Sequence, residues 1–286
     1  MSARTVRVEA LGAGTSLQDR GRRGVAHLGV PRSGALDAGA AALANRLVGN
    51  DPDAALFETT LGGLVLVCGQ AVTVALTGAP GDLLVDGRPR EQGVAHTVAA
   101  GSRLTVPPPR AGVRGYLALG GGVDVPAVLG SRAQDSLAGV GPAALRVGDV
   151  LPLGPVGAVP VLDPVPPRRT PPVPVLRLDP GPRADWFTPE ALGLLGSVPW
   201  RVGAASNRVG LRLEGPRLAR QPDAPAELPS EPMVLGAVQV PPSGPVVFLA
   251  DHPVTGGYPV IGVVRAEDLD VLAQLRPGEA VRFTRS

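Results

Sequence analysis

Glycine and proline constrain this chain more than any other feature, because its 286 residues include 39 glycines and 33 prolines. Glycine allows left-handed backbone, whereas proline fixes φ and lacks an N–H donor, so both interrupt long helices and favour tight turns. Hydrophobic residues make up 44% of the chain and aromatic residues only 3%. A chain of this length can bury one large core or two ordinary ones. We therefore predict a mainly β protein with short elements and a few short helices.

The sequence contains no lysine, so every basic side chain other than histidine is an arginine. A Walker A loop, a pyridoxal Schiff base and a Ser-Lys amidase site each need a lysine, and all three are excluded. Biotin cannot be attached to a lysine of this chain either. If ATP or biotin enters the reaction, we expect another polypeptide to bind or carry it. The net charge of +2 and the scattered arginines do not favour nucleic-acid binding.

Cysteine and histidine are too sparse to predict a metal centre or a disulfide. The one cysteine, Cys68, lies in an apolar run and is interpreted as a core residue rather than a nucleophile. The three histidines, His27, His96 and His252, share no metal-ligand spacing. The N-terminus has no signal-peptide pattern, and no apolar run approaches the length of a membrane span. We predict a cytoplasmic protein without membrane contact.

Apolar periodicity predicts strands and a few capped helices along the chain. One helix is expected from the N-cap Asp37 to Gly49-Asn50, another after the N-cap Thr188, and a last one near 267–275. Asp86-Gly87 predicts a hairpin turn. Strands are expected at 5–11, 62–69, 71–76, 94–98, 103–106, 114–119 and 147–153.

A proline-rich stretch at 155–174 predicts a linker between an N-terminal β lobe, 1–154, and a C-terminal β lobe, 175–286. Two similar segments support the two-lobe interpretation. LRVGDVLPL at 145–153 and LRPGEAVRF at 275–283 share the pattern Leu-Arg-x-Gly-acid followed by alternating apolar residues. Each is predicted to form a turn and then a closing strand.

Three polar clusters are candidates for function. GAGTSLQDRGRRG with GVPRSGALD, at 12–24 and 29–37, is either an anion-binding loop or a solvated loop with a helix cap, and the sequence leaves both open. The glycines at 120–122 are interpreted as a turn in preference to an anion nest.

The third cluster joins residues 206–208, 230–239 and ADHPVTGGYP at 250–259. The last segment stands between the apolar runs VVFLA and VIGVV and is either part of a site or a hairpin loop. Asp251 and His252 are not expected to form a dyad, since neighbours in a strand point to opposite faces. His252 is interpreted as a loop residue rather than a base.

Six ordered motifs carry a family resemblance that spans nearly the whole chain. They are GAGTSLQDRGRRGVAHLGVPRSGALD with ALANRLVGN, YLALGGGVDVPAVLGSR, SNRVGLRLEGP, GAVQVPPSGPVVFLADHPVTGGYPVIGVV and LAQLRPGEAVRF. Together they resemble the biotin-dependent carboxyltransferase family, also called allophanate hydrolase subunit 2, which includes the C subunit of 5-oxoprolinase and the KipA proteins. The second family name is not read literally, because amidase hydrolysis uses a lysine that this chain lacks.

The resemblance implies a cyclophilin-like β-barrel architecture in two lobes. It implies an enzyme subunit, inactive alone, whose partners are the A subunit of 5-oxoprolinase and its KipI-like B subunit. That assembly would hydrolyse a cyclic amide, 5-oxo-L-proline, to L-glutamate with ATP as the cofactor. The alternatives are half of a urea-carboxylase-like carboxyltransferase and a non-catalytic KipA-like regulator that binds a KipI-like partner.

The site residues follow the family motifs position by position. Negative charge that develops on a lactam oxygen requires hydrogen-bond donors, which favours arginine, asparagine and glutamine. Gly256-Gly257 is predicted to turn the chain so that Asp251, Thr255 and Tyr258 reach a shared pocket or partner surface. Pro253-Val254 stands where relatives usually carry Gln-Thr, so a changed substrate or a loss of activity stays open. The predicted catalytic residues are Asn207, Arg208, Gln239 and Asp251, and the predicted substrate-binding residues are Arg32, Ser33, Glu231, Thr255, Gly256, Gly257 and Tyr258.

Overall fold

The computed structural model describes residues 4–157, 165–166 and 171–285, and the chain forms two compact units. The first unit comprises Met1–Arg22, Ser33–Asp135 and Gly139–Arg168. The second comprises Arg23–Arg32, Ser136–Ala138 and Arg169–Ser286. The predicted linker falls largely on residues 158–164 and 167–170, which lie outside the described residues, so it stays a prediction.

The first unit consists of two antiparallel sheets. One has six strands in the order β11-β1-β4-β9-β6-β7, and the other has five in the order β2-β3-β10-β5-β8. A helix, α1 at Ala38–Leu47, packs against the second sheet. The strands are β1 Thr5–Leu11, β2 Thr15–Gln18, β3 Leu56–Thr60, β4 Leu64–Cys68, β5 Val72–Gly78, β6 Leu83–Val85, β7 Arg88–Arg90, β8 His96–Val98, β9 Arg103–Val106, β10 Arg114–Leu119 and β11 Val150–Pro152.

Strand β10 shows how the layers of the first unit are built. Its residues are buried on both faces, so its sequence RGYLAL has no apolar–polar alternation. Leu117 and Leu119 enter the core that the two sheets share, whereas Tyr116 and Ala118 pack with helix α1. The alternation of side chains along a strand therefore assigns one face to the core and the other to the helix.

Local signals in the first unit are confirmed. The carboxylate of Asp37 accepts a hydrogen bond from the N–H of Ala40 at 2.9 Å, which is the predicted N-cap. Asp86 and Gly87 join β6 to β7 with φ values of 52° and 77°, as a two-residue hairpin of type I′ requires.

The second unit contains a closed barrel with the strand order β12-β19-β16-β17-β14-β13-β20, and the prediction of a mainly β fold with a barrel and few short helices is confirmed. A two-residue pair, β15 with β18, lies outside the barrel. The strands are β12 Val175–Pro180, β13 Trp200–Val202, β14 Gly210–Glu214, β15 Glu231–Pro232, β16 Ala237–Gln239, β17 Val246–Phe248, β18 Thr255–Gly256, β19 Val260–Val264 and β20 Ala280–Arg285.

The helices of the second unit are short. Helix α2, Pro189–Ser197, begins at the predicted N-cap Thr188, whose hydroxyl accepts from the N–H of Ala191 at 3.2 Å. The predicted last helix is shorter than expected, because α3 covers only Leu269–Leu272. A 3-10 turn precedes it, and 3-10-type hydrogen bonds, from an N–H to the carbonyl three residues earlier, follow it before Pro277. The other 3-10 turns are Ala26–Leu28 and Ala184–Trp186.

The two similar segments form the same turn, one in each unit. Gly148 and Gly278 have φ values of 96° and 88°, and each donates its N–H to a valine carbonyl at 2.8 Å. The next residue, Asp149 or Glu279, accepts with its carboxylate from a backbone N–H three residues earlier, at 2.7 and 2.8 Å. The predicted turn followed by a strand is confirmed in both segments.

No helix within the described ranges combines the length and the apolar character that a bilayer crossing requires.

Candidate functional site

The loop at residues 249–259 is a crossover rather than a hairpin. Strands β17 and β19 both pair antiparallel with β16, which lies between them, so they run parallel to each other. The chain leaves β17 at Phe248, whose carbonyl accepts from Gly236, and rejoins the barrel at Val260 opposite Gln239. The loop therefore passes along β16, which explains why a long polar segment separates two buried strands.

Asp251, which is 0% exposed, anchors the first half of this loop. Arg208 donates from Nε and Nη2 to its two carboxylate oxygens at 2.9 and 3.1 Å. Ser136 donates to the Oδ2 atom from its backbone N–H at 3.0 Å and from its hydroxyl at 2.6 Å. A carboxylate that already accepts these four hydrogen bonds suits an anchor better than a general base. We refer to these three residues as the Asp251 cluster.

Asn207 precedes the arginine of the Asp251 cluster and shapes its turn. Its side-chain oxygen accepts from the N–H groups of Val209 and Gly210 at 2.9 and 3.3 Å. The residue is exposed, and its amide nitrogen has no protein partner in the described part of the chain. The Asn207 carboxamide is therefore fixed through its oxygen, and its NH₂ group can donate to a ligand.

His252 is a buried loop residue, as predicted, with 7% of its surface exposed. Its Nδ1 lies 2.8 Å from the carbonyl of Pro253, so Nδ1 carries the proton that is donated. The ring lies 6.1 Å from that of Phe248, between centroids. The expectation that Asp251 and His252 face opposite sides does not apply, because both are buried in a turn rather than placed on a strand.

Gln239 fixes the second half of the loop. Its side chain is 6% exposed, and Nε2 donates to the carbonyl of Tyr258 at 3.0 Å. A Cβ atom added to Gly256 would lie 2.5 Å from that nitrogen, so the glycine is needed for the close approach. The side chains of Thr255 and Tyr258 are exposed, with 44% of Tyr258 accessible. The loop is thus held from the barrel side and presents polar groups outward.

The two glycines of the loop differ from the predicted turn. Gly256 lies in β18 and pairs with Glu231 of β15, and Gly257 forms a bend. Neither has a left-handed φ. The reason for a glycine at 256 is side-chain packing, whereas a Cβ at 257 would meet only the carbonyl of Leu228 at 3.4 Å, an ordinary contact.

Glu231 forms an ion pair beside the loop. Its Oε2 accepts from Arg183 Nε at 3.2 Å, and its Oε1 is in close contact with Arg183 Nη2. The guanidinium carbon of Arg183 lies 5.7 Å from the centroid of the Trp186 ring, within cation–π range. The pKa of Arg183 is raised above its ordinary value, chiefly by the hydrogen bond to Glu231. Arg183 therefore stays charged.

Arg32 and Ser33 lie in different units and stay predictions as substrate-binding residues. Arg32 is exposed and ends the segment Arg23–Arg32 of the second unit. Ser33 begins a segment of the first unit, is buried, and has a φ of 56°. Its hydroxyl donates to the carbonyl of Gln134 at 3.1 Å. This left-handed serine is held by its surroundings in a conformation that costs a non-glycine residue energy.

Two glycines of the first unit, Gly12 and Gly121, pack closely against backbone. A Cβ at Gly12 would lie 2.2 Å from the carbonyl oxygen of Gly62, and one at Gly121 would lie 2.1 Å from that of Gly154. These two glycines are therefore needed for close backbone packing. The glycines at 120–122 form the predicted turn. Since the chain lacks lysine, its residues cannot form a Walker A loop.

Cys68 lies in the core, where a thiol is a poor nucleophile. Cys68 is buried, and desolvation raises its pKa to about 11, which disfavours the thiolate. Within the described ranges, no group of three or more His, Cys, Asp or Glu residues is placed to hold a metal ion.

Three residues of the site were not found from the sequence: Ser136, Arg183 and Trp186. Ser136 reaches Asp251 only through tertiary structure, and its sequence neighbours give no signal. Arg183 and Trp186 had a usable signal, because an arginine three residues before one of the two tryptophans of the chain is a candidate cation–π pair.

Comparison with known proteins gives one consistent family. The family described as "Carboxyltransferase domain, subdomain A and B" matches residues 28–285 of this chain. The 5-oxoprolinase C subunit of Escherichia coli is 37% identical over 278 residues, which cover 94% of this chain and 87% of that protein. The urea amidolyase of Saccharomyces cerevisiae is 33% identical over 300 residues, which cover 95% of this chain but 16% of that protein.

Solved structures agree with the fold. The crystal structure of TTHA0988 has a TM-score of 0.90 and 40% identity, and the match covers 99% of this chain and 56% of that one. The urea amidolyase of K. lactis has a TM-score of 0.90 and 30% identity, and the match covers 100% of this chain and 19% of that one. The chain therefore spans about half of TTHA0988 and about a fifth of the yeast enzyme.

Proposed function

The chain belongs to the carboxyltransferase domain family of subdomains A and B, and from this premise we propose that it is the C subunit of an ATP-dependent 5-oxoprolinase. Such an enzyme opens 5-oxo-L-proline to L-glutamate. The observation that carries the proposal is the similarity to the 5-oxoprolinase C subunit over nearly the whole of both chains. An enzyme subunit, rather than an enzyme complete in itself, fits a relative that is itself named a subunit.

The proposal assigns ATP to other chains of the assembly. The lack of lysine, which excludes a Walker A loop, supports this division of work. We propose that the site is completed by a KipI-like B subunit, and that the assembly also includes an A subunit. The exposed Thr255 and Tyr258 of the 249–259 loop would face the substrate or the KipI-like partner.

The reaction is the hydrolysis of a resonance-stabilised lactam. The ring C–N bond breaks, the hydroxyl of water adds to the carbonyl carbon, and the ring nitrogen gains a proton. Negative charge develops on the carbonyl oxygen and is stabilised by preorganised donors. We assign this role to the amide nitrogen of Asn207, because Arg208 is engaged by Asp251 and the Gln239 amide by Tyr258.

Reconstitution tests the proposal. The chain is co-purified with the two candidate partner subunits, and L-glutamate released from 5-oxo-L-proline is measured with and without ATP. We expect ATP-dependent release that is lost when this chain is omitted. Asn207→Ala is expected to lower kcat by roughly 100- to 1000-fold, the usual cost of one oxyanion donor. Absence of turnover in the complete assembly would contradict the proposal.

A urea-carboxylase-like carboxyltransferase half is the second candidate, favoured by the match to the K. lactis urea amidolyase at a TM-score of 0.90. Transfer of a carboxyl group from a carboxybiotin carrier to urea, with no glutamate release, would favour it. Tight partner binding with no turnover of either substrate would instead favour a KipA-like regulator.

A further inference from the structure

Arg183 is held in a fixed orientation by groups on two sides. Glu231 accepts from its Nε and Nη2 atoms, which form one edge of the planar guanidinium. The Trp186 ring lies 5.7 Å from the guanidinium carbon. An arginine that is fixed by a carboxylate and an aromatic ring has already lost the side-chain freedom that a ligand would otherwise have to remove.

The contacts of Arg183 place its guanidinium beside the second half of the 249–259 loop. Its backbone N–H donates to the carbonyl of Val260, just after the loop, at 3.2 Å. The guanidinium reaches Glu231, which is the strand partner of Gly256. Arg183 thus contacts Val260 at the end of the loop and, through Glu231, the strand that pairs with Gly256.

The other edge of this guanidinium is available to a ligand. The Nη1 atom of Arg183 has no protein partner within the described ranges, and the side chain is 35% exposed. Nη1 together with the outer N–H of Nη2 forms a second fork, which matches the two oxygens of a carboxylate. Two carboxylates act on the charge of Arg183: Glu231, which is paired with the first edge, and the exposed Asp185.

We propose that Arg183 binds the carboxylate of the substrate and thereby selects a lactam acid over a neutral amide. The inference rests on the proposed function, in which the substrate 5-oxo-L-proline carries such a carboxylate next to its ring nitrogen. Urea has no carboxylate, so this arginine also separates the two candidate activities. Glu231 and Trp186 are positioning residues, because they act through Arg183.

Binding without ATP tests the assignment separately from catalysis. Titration calorimetry on the assembled complex gives Kd for 5-oxo-L-proline and for 2-pyrrolidinone, the same ring without the carboxylate. Wild type is expected to prefer the acid. Arg183→Gln should raise Kd for the acid by roughly 10- to 100-fold, the value of one charged hydrogen-bonding pair, and leave the Kd of 2-pyrrolidinone unchanged.

Two further variants keep the test decisive. Arg177→Gln removes a similar exposed arginine of the second unit, paired with Asp268 at 2.9 and 2.8 Å, and should change neither Kd. Glu231→Gln keeps the charge of Arg183 but loosens its orientation, so it should weaken binding of the acid alone and by less. If Arg183→Gln does not assemble, an unchanged acid preference in Glu231→Gln overturns the proposal.

The outcomes separate this inference from the proposed function. Glutamate release with an acid preference that Arg183→Gln does not alter would overturn the role of Arg183 and leave the function standing. An Arg183-dependent acid preference without ATP-dependent release would support the carboxylate site and contradict the 5-oxoprolinase reaction. Equal weakening of both ligands in Arg183→Gln would overturn the inference as well, because a structural role would affect both.

Discussion

Two arginine–carboxylate pairs lie in and beside the 249–259 loop, and they differ in how many donor groups of the arginine are already used. Arg208 and Asp251 are 11% and 0% exposed by side chain, and Ser136 donates two more hydrogen bonds to the carboxylate. Arg183 and Glu231 are 35% and 22% exposed, and one edge of that guanidinium faces outward. The first pair uses its charges to fix the chain, whereas the second keeps a charge available for a ligand.

The difference shows that a motif position and a reacting group need not coincide. Asp251 follows the family pattern, yet its carboxylate is committed to hydrogen bonds. Burial makes such a pair costly to break while adding little net stability, since both charges have lost their water. Partial exposure makes the second pair cheap to break but accessible to substrate. Mutation of the buried pair should therefore lower mainly stability, whereas mutation of the partly exposed pair should weaken mainly substrate binding.

The largest expected effect is at the buried pair. Arg208→Met leaves Asp251 as an uncompensated buried charge, and we expect the free energy of unfolding to fall by about 3–5 kcal/mol. Denaturant titration of the purified chain measures it. The double variant Arg208→Met with Asp251→Leu removes both charges and should recover most of the loss.

Ser136→Ala is a graded companion to that experiment. It removes the hydroxyl donor at 2.6 Å but leaves the backbone donor and the guanidinium in place. The loss should be smaller, about 1.5–3 kcal/mol for a hydrogen bond to a charged group. A loss in Ser136→Ala equal to that in Arg208→Met would contradict the assignment of the arginine as the main partner of Asp251.

An effect of intermediate size is expected at Gly256, which packs against the Gln239 side chain that fixes the second half of the loop. Gly256→Ala places a Cβ 2.5 Å from the Gln239 amide nitrogen and should displace that group from the Tyr258 carbonyl. Overpacking of this kind costs about 1–3 kcal/mol, and glutamate release should fall with it. Denaturant titration and the reconstituted assay measure the two effects.

Gly257→Ala is the matched control, since its Cβ would meet only an ordinary contact at 3.4 Å. It should change stability by less than about 0.5 kcal/mol. Adding Gln239→Ala to Gly256→Ala should relieve the overpacking, so the two losses should not add. Equal sensitivity at both glycines would instead mean that the turn, rather than the contact with Gln239, requires them.

The sequence predicted those parts of the fold that depend on neighbours along the chain. The caps at Asp37 and Thr188 and the hairpin at Asp86-Gly87 depend on local hydrogen bonds, and most strands are indicated by apolar periodicity. The pairing order of the strands is not local, so the sequence left a hairpin loop open for the segment 250–259, whereas β16 lies between its flanking strands. Glycine at 256 was interpreted as a turn signal because packing against a side chain leaves no trace in sequence.

In the site as well, the sequence indicated the motif residues but not their partners. Family motifs indicated Asp251, Gln239 and Glu231, which the structure places on or beside one loop. The partners that decide their roles, Ser136 and Arg183, lie 115 and 48 residues away along the chain. A carboxylate that is saturated by donors and one that orients a free guanidinium edge look the same in sequence, and only the tertiary contacts tell them apart.

The smallest expected effect concerns pH, at the pair of the exposed Arg177 and the partly buried Asp268. The hydrogen bond from Arg177 holds the pKa of Asp268 below its ordinary value. Because the folded-state pKa is lowered, the contribution is present above the unfolded value of about 3.9 and is lost as the pH falls through the folded-state pKa. Asp268→Asn should therefore lower the denaturation midpoint slightly at pH 7, and its difference from wild type should shrink below about pH 4. If the difference persists unchanged into acid, Asp268 acts as the acceptor of the Arg177 backbone N–H, at 2.8 Å, rather than through its charge.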